Sequence, residues 1–297
     1  MAILNFGSLN VDHVYQVDHF VRPGETLTSR QYRALAGGKG ANQSIALACA
    51  GGRVFHAGKV GRDGEWLKDN LTRYGVDTSL ITVVDGPTGH AVIQVDPTGE
   101  NAIVLHGGAN RQITPQDVAH VMGHFRSGDS LLVQNEISCV PDILERASAI
   151  GMRIFFNPAP MTPEVLTYPL NHVHTLIVNE IEGADLTGEV SEEAILNALC
   201  RRFPRAEIVL TLGEHGVRYG WGTTRIHIPA CKVPVVDTTA AGDTFIGYYV
   251  AAMTAGSKPE AALTLATRAA ALCVTRPGAA DSIPKRAEVE AFAGTAD

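Results

Sequence analysis

Residues 237–247 read Asp-Thr-Thr-Ala-Ala-Gly-Asp-Thr-Phe-Ile-Gly, and this stretch decides how the rest of the chain is interpreted. Small residues at 240–242 directly precede an apolar run that begins at Phe245. The pattern predicts a helix whose first N–H groups and positive dipole end can face an anion. Asp243, on the same turn, can accept a proton from an attacking hydroxyl. The stretch therefore indicates phosphoryl transfer. The catalytic candidates are Asp243, Gly242, Ala241 and Ala240.

A single aspartate before a helix is more often only a cap. A cap needs one polar residue, however, whereas this stretch places two aspartates, three threonines and a glycine ahead of the hydrophobic face. The catalytic interpretation is therefore preferred to the capping one. The helix dipole is expected to keep Asp243 ionised.

Length and composition predict one large α/β domain, or a domain with a small appendage, because the chain has 297 residues of which 45% are hydrophobic and 19% charged. Its net charge of −7 and its scattered Lys and Arg disfavour nucleic acid as a partner. The N-terminus resembles a first strand more than a signal peptide, and no apolar window approaches 18 residues. We therefore expect a cytoplasmic protein that does not span a membrane.

Short apolar runs alternate with helical patterns through the second half of the chain. The expected strands are Leu131–Val133, Ile154–Phe156, Leu176–Val178 and Ile208–Leu212, and the expected helices lie near 140–150, 180–187 and 192–202. This alternation predicts a parallel sheet with helices on both faces, a doubly wound α/β/α sandwich.

The first third of the chain differs, because its short, half-polar strands are separated by glycine-rich turns. These strands are expected at Val11–Val17, Arg30–Leu35, Ala91–Val95 and Ala102–Leu105. They predict a small separate sheet that can close over a site as a lid. The expected division is a core of residues 1–10, 36–88 and 107–297, and a lid of residues 11–35 and 89–106.

A second glycine-rich turn opens a helix at Gly37-Gly38-Lys39-Gly40-Ala41-Asn42-Gln43. It is not a Walker phosphate loop, because Gly40 follows Lys39 where Ser or Thr is required, and Arg33 occupies the place of the first glycine. The turn allows close backbone approach by a ligand. Taken alone it is more typical of a flexible helix start with a solvated lysine.

Polar residues recur at the carboxyl ends of the expected strands, where open α/β sheets bind ligands. They include Asn10 and Asp12, Asn135 and Glu136, and Asn157. Together they suit the hydroxyls of a sugar. Asn179 and Glu182 follow another strand and could act through Mg²⁺ and its waters, or could form an acidic helix start favoured by the dipole.

With these motifs in view, the chain resembles the ribokinase family of carbohydrate kinases. The resemblance is carried by Gly37–Gln43, Asn157–Pro160, Asn179–Glu182, Thr211–Gly216 and Asp237–Thr244. It implies the sandwich fold with a β-sheet lid, often shared across a homodimer, and ATP as the phosphoryl donor. Asp243 matches the base that takes the proton of the sugar's primary hydroxyl, and Gly242 with its neighbours matches the anion hole.

The resemblance also assigns binding roles, which are carried over residue by residue. The sugar-binding positions are Asn10, Asp12, Gly38, Lys39, Asn42, Glu136 and Asp243. The nucleotide positions are Asn179, Thr211, Gly213, Gly216 and Gly242. Glu182 matches the magnesium motif, acting through water. The implied potassium ligands, mostly backbone groups, are Asp237, Thr239, Cys273, Arg276, Gly278 and Ser282.

The chain departs from the family pattern at two positions. Thr267 stands where these kinases commonly present histidine or asparagine to the nucleotide, and Asn135 is polar where an apolar residue is expected. Lys39 is expected to act in the sugar loop or structurally rather than as a phosphate clamp.

The sequence thus predicts ATP-dependent phosphorylation of a sugar's primary hydroxyl, with Mg²⁺ and K⁺ as cofactors and D-ribose as the preferred sugar. Alternatives are a kinase of deoxyribose, a hexose, a sugar acid or a nucleoside, and a sugar-binding sensor without catalysis. A serine hydrolase is disfavoured because the chain has no Gly-x-Ser-x-Gly elbow.

Overall fold

Strands and helices alternate along the computed structural model, which describes residues 1–292. The last part of the expected core range 107–297 therefore lies outside the described residues. The strands are β1 (Ile3–Phe6), β2 (Asn10–Gln16), β3 (Gln31–Gly37), β4 (Val54–Gly61), β5 (Asp77–Val84), β6 (Gly89–Val95), β7 (Asn101–His106), β8 (Ser130–Gln134), β9 (Arg153–Asn157), β10 (Thr175–Asn179), β11 (Glu207–Thr211), β12 (Val217–Trp221) and β13 (Thr224–Ile228). The α-helices are α1 (Lys39–Cys49), α2 (Trp66–Arg73), α3 (Pro115–Met122), α4 (Val140–Ile150), α5 (Glu180–Thr187), α6 (Glu192–Arg202), α7 (Ala241–Thr254), α8 (Pro259–Cys273) and α9 (Arg286–Ala291).

The main sheet has nine strands in the order β13-β12-β11-β10-β9-β8-β1-β4-β5. Its seven neighbouring strands β11-β10-β9-β8-β1-β4-β5 are parallel, and β12 and β13 add an antiparallel hairpin at one edge. The chain winds outward from β1 in both directions, which confirms the doubly wound fold. Since the order reverses between β1 and β8, the crevice at their carboxyl ends is where a ligand is expected to bind.

Each face of the main sheet buries a separate hydrophobic core, because the side chains of a strand alternate between faces. Ile3 belongs to the core that includes α1, α7 and α8, whereas its neighbour Leu4 belongs to the core that includes α3, α4 and α6. Within residues 1–292, none of the helices has the length and apolar character needed to cross a bilayer.

A second sheet of four strands, in the order β3-β2-β6-β7, lies apart from the main one in hydrogen bonding. The expected small sheet is therefore present, with strands that begin one or two residues from the expected positions. The chain passes from the main sheet into the small one within a few residues, because β1 ends at Phe6 and β2 begins at Asn10.

Helices α1 and α7 approach each other closely at Gly247, where an added Cβ would overlap the Cβ of Ala46. One turn earlier on each helix stand Asp243 and Asn42, since residues four apart share a helix face. The glycine that permits this contact therefore also brings the start of α1 against the start of α7.

Candidate active site

The first turn of α7 carries free backbone donors. Ala240 precedes the helix in the left-handed conformation, with φ 59°, which is uncommon for a residue with a Cβ. The N–H of Ala241 donates to the Thr238 carbonyl at 3.2 Å, and that of Thr244 donates to the Ala240 carbonyl at 2.8 Å. In residues 1–292 the N–H groups of Gly242 and Asp243 have no protein acceptor. Two donors at the positive end of the helix are thus available to an anion.

The Asp243 carboxylate accepts a hydrogen bond on each oxygen. Gln43 Nε2 donates to Oδ1 at 2.9 Å, and Asn42 Nδ2 donates to Oδ2 at 3.0 Å. Burial raises the pKa of Asp243, while the Lys39 ammonium and the two amides oppose that shift; the net direction is upward. The helix dipole alone would lower the pKa of Asp243, so desolvation acts in the opposite direction to the dipole.

Lys39 lies among three carboxylates, those of Asp243, Glu136 and Glu182. Burial by itself would lower the pKa of its ammonium, but the carboxylates more than offset this and the pKa is raised. Its backbone N–H donates to Glu136 Oε2 at 3.1 Å. Lys39 therefore stays charged. Its ammonium attracts the carboxylates expected to bind the sugar (Glu136), to act as the base (Asp243) and to hold magnesium (Glu182).

Polar groups converge at the carboxyl ends of β1 and β8. Glu136 accepts a short hydrogen bond from the Ser8 hydroxyl, and that hydroxyl in turn accepts from the Gly40 N–H at 3.1 Å. Asn10 Oδ1 accepts from Asn110 Nδ2 at 2.8 Å. The structure thus brings Asn10 and Glu136 to the same crevice as the start of α1.

The Asp12 side chain lies against Gly37 of the neighbouring strand, which pairs with Asn10 in the β2–β3 ladder, and a Cβ on Gly37 would overlap the Asp12 carboxylate. Gly38 requires glycine for a different reason, because its φ is 92° and a Cβ there would also come within 3.0 Å of the Asn10 nitrogen. Burial, and then the nearby Glu136 carboxylate, raise the pKa of Asp12 to about 6. Glycine is therefore needed at both positions to admit this carboxylate and the turn beside it.

Because the pKa of Asp12 is raised, both sugar affinity and protein stability are expected to depend on pH. Ionised Asp12 is the stronger acceptor for sugar hydroxyls, so we expect sugar affinity to fall as pH drops through about 6. The free energy of unfolding is expected to fall as pH rises, whereas sugar affinity is expected to increase. The folded protein holds the Asp12 proton up to a higher pH than the unfolded chain does, so stability decreases as pH rises from 3.8 to about 6.

Calorimetric titration with ribose between about pH 5 and pH 8 measures this affinity. An Asp12→Asn variant is the control, since it should bind more weakly and lose the pH dependence. Unchanged pH dependence in that variant would assign the effect to another group.

Asn179 and Glu182 form a reciprocal capping box at the start of α5. Asn179 Oδ1 accepts from the Glu182 N–H at 2.8 Å, and Glu182 Oε2 accepts from the Asn179 N–H at 3.0 Å. The acidic helix-start interpretation is therefore observed. The second Glu182 oxygen stays available, and burial raises the pKa of this carboxyl. One free carboxylate oxygen suits Mg²⁺ held mainly by water and phosphate.

A cleft of about 1040 Å³ opens beside the start of α7. Its lining includes five of the positions singled out from the sequence, together with Thr267: Thr211, Gly213, Gly216, Ala241 and Gly242. Among the described residues, neither Asn179 nor Glu182 lines it. The cleft has the size of a nucleotide pocket, and Gly242, whose N–H is free, forms part of its wall.

Thr267 is buried and lines the cleft, and its Oγ1 has no hydrogen-bond partner in residues 1–292. The departure from the family pattern noted in the sequence therefore lies on the wall of the cleft.

The expected potassium ligands come together at two loops. Asp237 accepts from the Thr239 N–H at 2.9 Å and, through its other oxygen, from the Gly278 N–H at 2.9 Å. The Cys273 thiol contacts both the Thr239 carbonyl, at 3.7 Å, and the Ser282 hydroxyl, at 3.1 Å. A donor set of carbonyls, hydroxyls and one carboxylate fits K⁺. In contrast, the Arg276 side chain points to Glu288 at 2.6 Å, so only its backbone could contribute.

No group of three or more His, Cys, Asp and Glu side chains suited to a metal occurs in residues 1–292. A magnesium ion held by water and phosphate, or a potassium ion held by backbone carbonyls, does not require such a group of side chains.

Asn135 has a structural role that the sequence did not explain. It is buried, and its Nδ2 donates to the Pro160 carbonyl at 2.8 Å while its Oδ1 accepts from the Tyr168 hydroxyl at 2.9 Å. An apolar residue could not hold the loop after β9 in this way.

Sequence reasoning missed several residues that contact the site. Ser8 follows β1 and was detectable by the same strand-end rule that selected Asn10. Gln43 belongs to the quoted glycine-rich motif but was assigned no role. Asn5 and Gln134 lie inside buried strands, and their polarity there was the available signal.

Comparison with known proteins places this geometry in context. The family model described as "pfkB family carbohydrate kinase" matches residues 2–286. The ribokinase of Haemophilus influenzae is 39% identical over 297 residues, covering 96% of each chain. That of Bacillus subtilis is 37% identical over 291 residues, also covering 96% of each.

Solved structures agree with the sequence comparison. Ribokinase from Cryptococcus neoformans var. grubii, in complex with ADP, superposes with a TM-score of 0.85 at 36% identity, covering 98% of this chain and 99% of that one. Ribokinase of Arabidopsis thaliana, complexed with ribose and ATP, gives a TM-score of 0.88 at 30% identity, covering 98% of each.

Proposed function

We propose that this chain, which belongs to the pfkB family of carbohydrate kinases, transfers the terminal phosphoryl group of ATP to the primary hydroxyl of D-ribose, giving D-ribose 5-phosphate. The observation that carries the proposal is the start of α7. There the Asp243 carboxylate shares the first turn of the helix with two free backbone N–H groups, and Gly242, which carries one of them, lines the cleft of about 1040 Å³. Ribokinase relatives at 35 to 39% identity, matched over nearly their full length, support ribose as the sugar that is phosphorylated.

The reaction is an in-line displacement at the γ-phosphorus of ATP. Asp243 accepts the proton of the sugar's primary hydroxyl as the new O–P bond forms and the bond to ADP breaks. The N–H groups of Gly242 and Asp243 receive charge on the transferring phosphoryl oxygens. Lys39 adds a positive charge nearby. Because the transition state is loose, proton removal occurs late and a carboxylate is a sufficient base.

Bound Mg²⁺ would neutralise phosphate charge, and the free oxygen of Glu182 would hold it through water. K⁺ would be held by the two loops that contain Asp237 and Gly278. The loop that contains Asp237 leads directly into the start of α7, and the loop after α8 contacts it through the hydrogen bond from the Gly278 N–H to Asp237. An ion bound there would therefore affect where the Gly242 amide points.

Sugar recognition is assigned to the residues at the crevice between the two sheets. Asp12, Glu136 and Asn10 present oxygens to the ribose hydroxyls, and the buried Asn42 Oδ1, which lacks a partner in residues 1–292, is a further acceptor. We also propose that the four-stranded sheet, residues 11–35 and 89–106, acts as the lid over the sugar and forms the contact of a homodimer. Its exposed apolar side chains, among them Leu35, Ile103 and Val104, are consistent with such a contact.

Deoxyribose is the alternative that one relative favours, since the deoxyribokinase of Salmonella typhi is 30% identical over 293 residues. Asp12 distinguishes the two sugars. If it binds the 2- and 3-hydroxyls, 2-deoxyribose leaves a buried carboxylate oxygen unpaired, and kcat/KM should fall by at least about tenfold.

A panel of pentoses, hexoses and nucleosides with ATP and Mg²⁺, each with and without K⁺, tests the proposal. We expect the highest kcat/KM for ribose and an increase when K⁺ is present. Equal kcat/KM for ribose and 2-deoxyribose would contradict the assignment of Asp12, and ATP consumption independent of any sugar would contradict the kinase. Sugar binding without ATP consumption would support the sensor instead.

A further inference from the structure

Three buried amide side chains form a continuous hydrogen-bonded chain that ends on Asp243. Asn5 Nδ2 donates to the Gly40 carbonyl at 2.7 Å, and Asn5 Oδ1 accepts from Gln134 Nε2 at 2.9 Å. Gln134 Nε2 also donates to Gln43 Oε1 at 2.6 Å, and Gln43 Nε2 donates to Asp243 Oδ1 at 2.9 Å. We call Asn5, Gln134 and Gln43 the amide relay.

The relay has only one possible direction. A carbonyl oxygen can only accept, so the Gly40 carbonyl requires the NH₂ group of Asn5 to face it. Asn5 must then present its oxygen to Gln134, and Gln134 must present its NH₂ group to Gln43. The NH₂ group of Gln43 is thereby left to face Asp243.

A second carbonyl fixes the same orientation independently. Asn157 Nδ2 donates to the Ile177 carbonyl at 3.0 Å, so Asn157 Oδ1 faces Gln43 and lies 3.4 Å from its Nε2. Both hydrogens of the Gln43 amide therefore have acceptors. Turning the amide over would place its oxygen against the Asp243 carboxylate and against Asn157 Oδ1.

The arrangement leaves one polar atom unpaired. Gln134 Oε1 is buried and has no partner in residues 1–292. It lies against Gly7, where a Cβ would come within 2.5 Å of it. Because an unpaired buried acceptor is costly, a site selected for packing alone would favour an apolar side chain at position 134. Retaining the glutamine is consistent with a role in orienting Gln43.

We propose that Gln43 and Gln134 are positioning residues for the phosphoryl transfer: they orient the Asp243 carboxylate and keep it a proton acceptor. The inference rests on the proposed role of Asp243 as the base. Three charged groups also face that carboxylate, namely Lys39 at the start of α1, Glu136 after β8 and Glu182 on α5. Burial and the two carboxylates favour the protonated acid, whereas Lys39 and the amide donors favour the base.

The test measures kcat against pH with saturating ribose, ATP and Mg²⁺. Gln43→Met keeps the length of the side chain but removes the donor to the ionised Asp243 carboxylate. The acidic limb of the kcat–pH profile, over which kcat rises with pH, should therefore move up by about 1 to 2 pH units. Activity above the limb should stay within a few-fold of the parent. Gln134→Met should move the limb in the same direction by less, because Gln43 keeps its donor and loses only one of the two groups that orient it, while Asn157 remains.

Ser44→Ala is the matched control. Ser44 is buried and accepts from Asn5 Nδ2 at 2.8 Å, but the Gly40 carbonyl still sets the direction of the relay without it. This variant should lower the melting temperature and leave the acidic limb in place.

An unmoved acidic limb in Gln43→Met, with only a lower melting temperature, would show that the relay is purely structural. Should that variant fail to fold, Gln43→Glu replaces it, since a second carboxylate must move the limb further up if the contact matters. An Asp243→Asn variant separates the two proposals. If it keeps normal turnover, the base itself is wrong, whereas if it is inactive and Gln43→Met has an unmoved limb, only the relay is wrong.

Discussion

Replacing Asp243 with asparagine is expected to lower kcat by about two to four orders of magnitude, the range that general-base assistance usually supplies. Ribose and ATP should still bind within a few-fold, because the other residues assigned to them remain in place. The effect should therefore appear in kcat rather than in KM. A steady-state assay of ADP formation, combined with calorimetric titration of ribose, measures both parts.

The amide of the substituted side chain has a steric and polar consequence of its own. Asn42 and Gln43 both donate to Asp243, so an asparagine must place its NH₂ group against one of these donors. Asp243→Ala avoids this conflict and serves as the second variant. If both variants turn over at nearly the parent rate, Asp243 is not the base.

Gly242→Ala is expected to lower kcat by about a hundredfold or more while leaving the melting temperature almost unchanged. An added Cβ at Gly242 meets no protein atom within 4 Å, so the fold should tolerate it. That empty space is, however, where the transferring phosphoryl group must approach the free N–H. Displacing a reacting group by about 1 Å can cost about a hundredfold in rate, and losing a donor costs a similar or larger factor.

Gly123→Ala is a suitable control for this substitution. Gly123 ends α3 with φ −63°, is exposed, and an added Cβ meets only two carbonyl oxygens, the closer at 3.3 Å. It lies in a different helix from the site, so kcat should not change. If Gly242→Ala retains full kcat, the phosphoryl group does not use this amide.

Much of the fold follows from local pattern. The alternation of apolar runs and helical segments predicted β8 to β11 and the helices between them, with ends that differ from the structure by one or two residues. The small sheet was also recognisable, because its half-polar strands contrast with the fully apolar strands of a sheet that is buried on both faces. Each of these signals is contained in a window of a few residues.

The site was only partly recognisable in the same way. Asp243 and the small residues before it are contiguous, so a single window shows a carboxylate at the start of a helix. The interpretation of Asn179 and Glu182 remained open because a capping box and a magnesium motif use the same residue types, and the structure shows the cap without excluding the ion. Asn135 was unexplained because its partners, Pro160 and Tyr168, lie in a loop far along the chain.

Long-range contacts also act against one expectation. A helix start favours an ionised aspartate, yet burial raises the pKa of Asp243. Desolvation depends on the α1 segment packed over α7, and no window around residue 243 contains that information.

The sequence by itself determined the strands, the helices and the candidate base, because hydrophobic periodicity and small residues at a helix start act within one or two turns of chain. Only the tertiary structure decided which way the amides of Gln43 and Gln134 point. Their orientation depends on the Gly40 carbonyl and on Asn5, and the Gln43 amide meets a carboxylate 200 positions away along the chain. A hydrogen bond has a direction, and that direction is set only when donor and acceptor have been brought together.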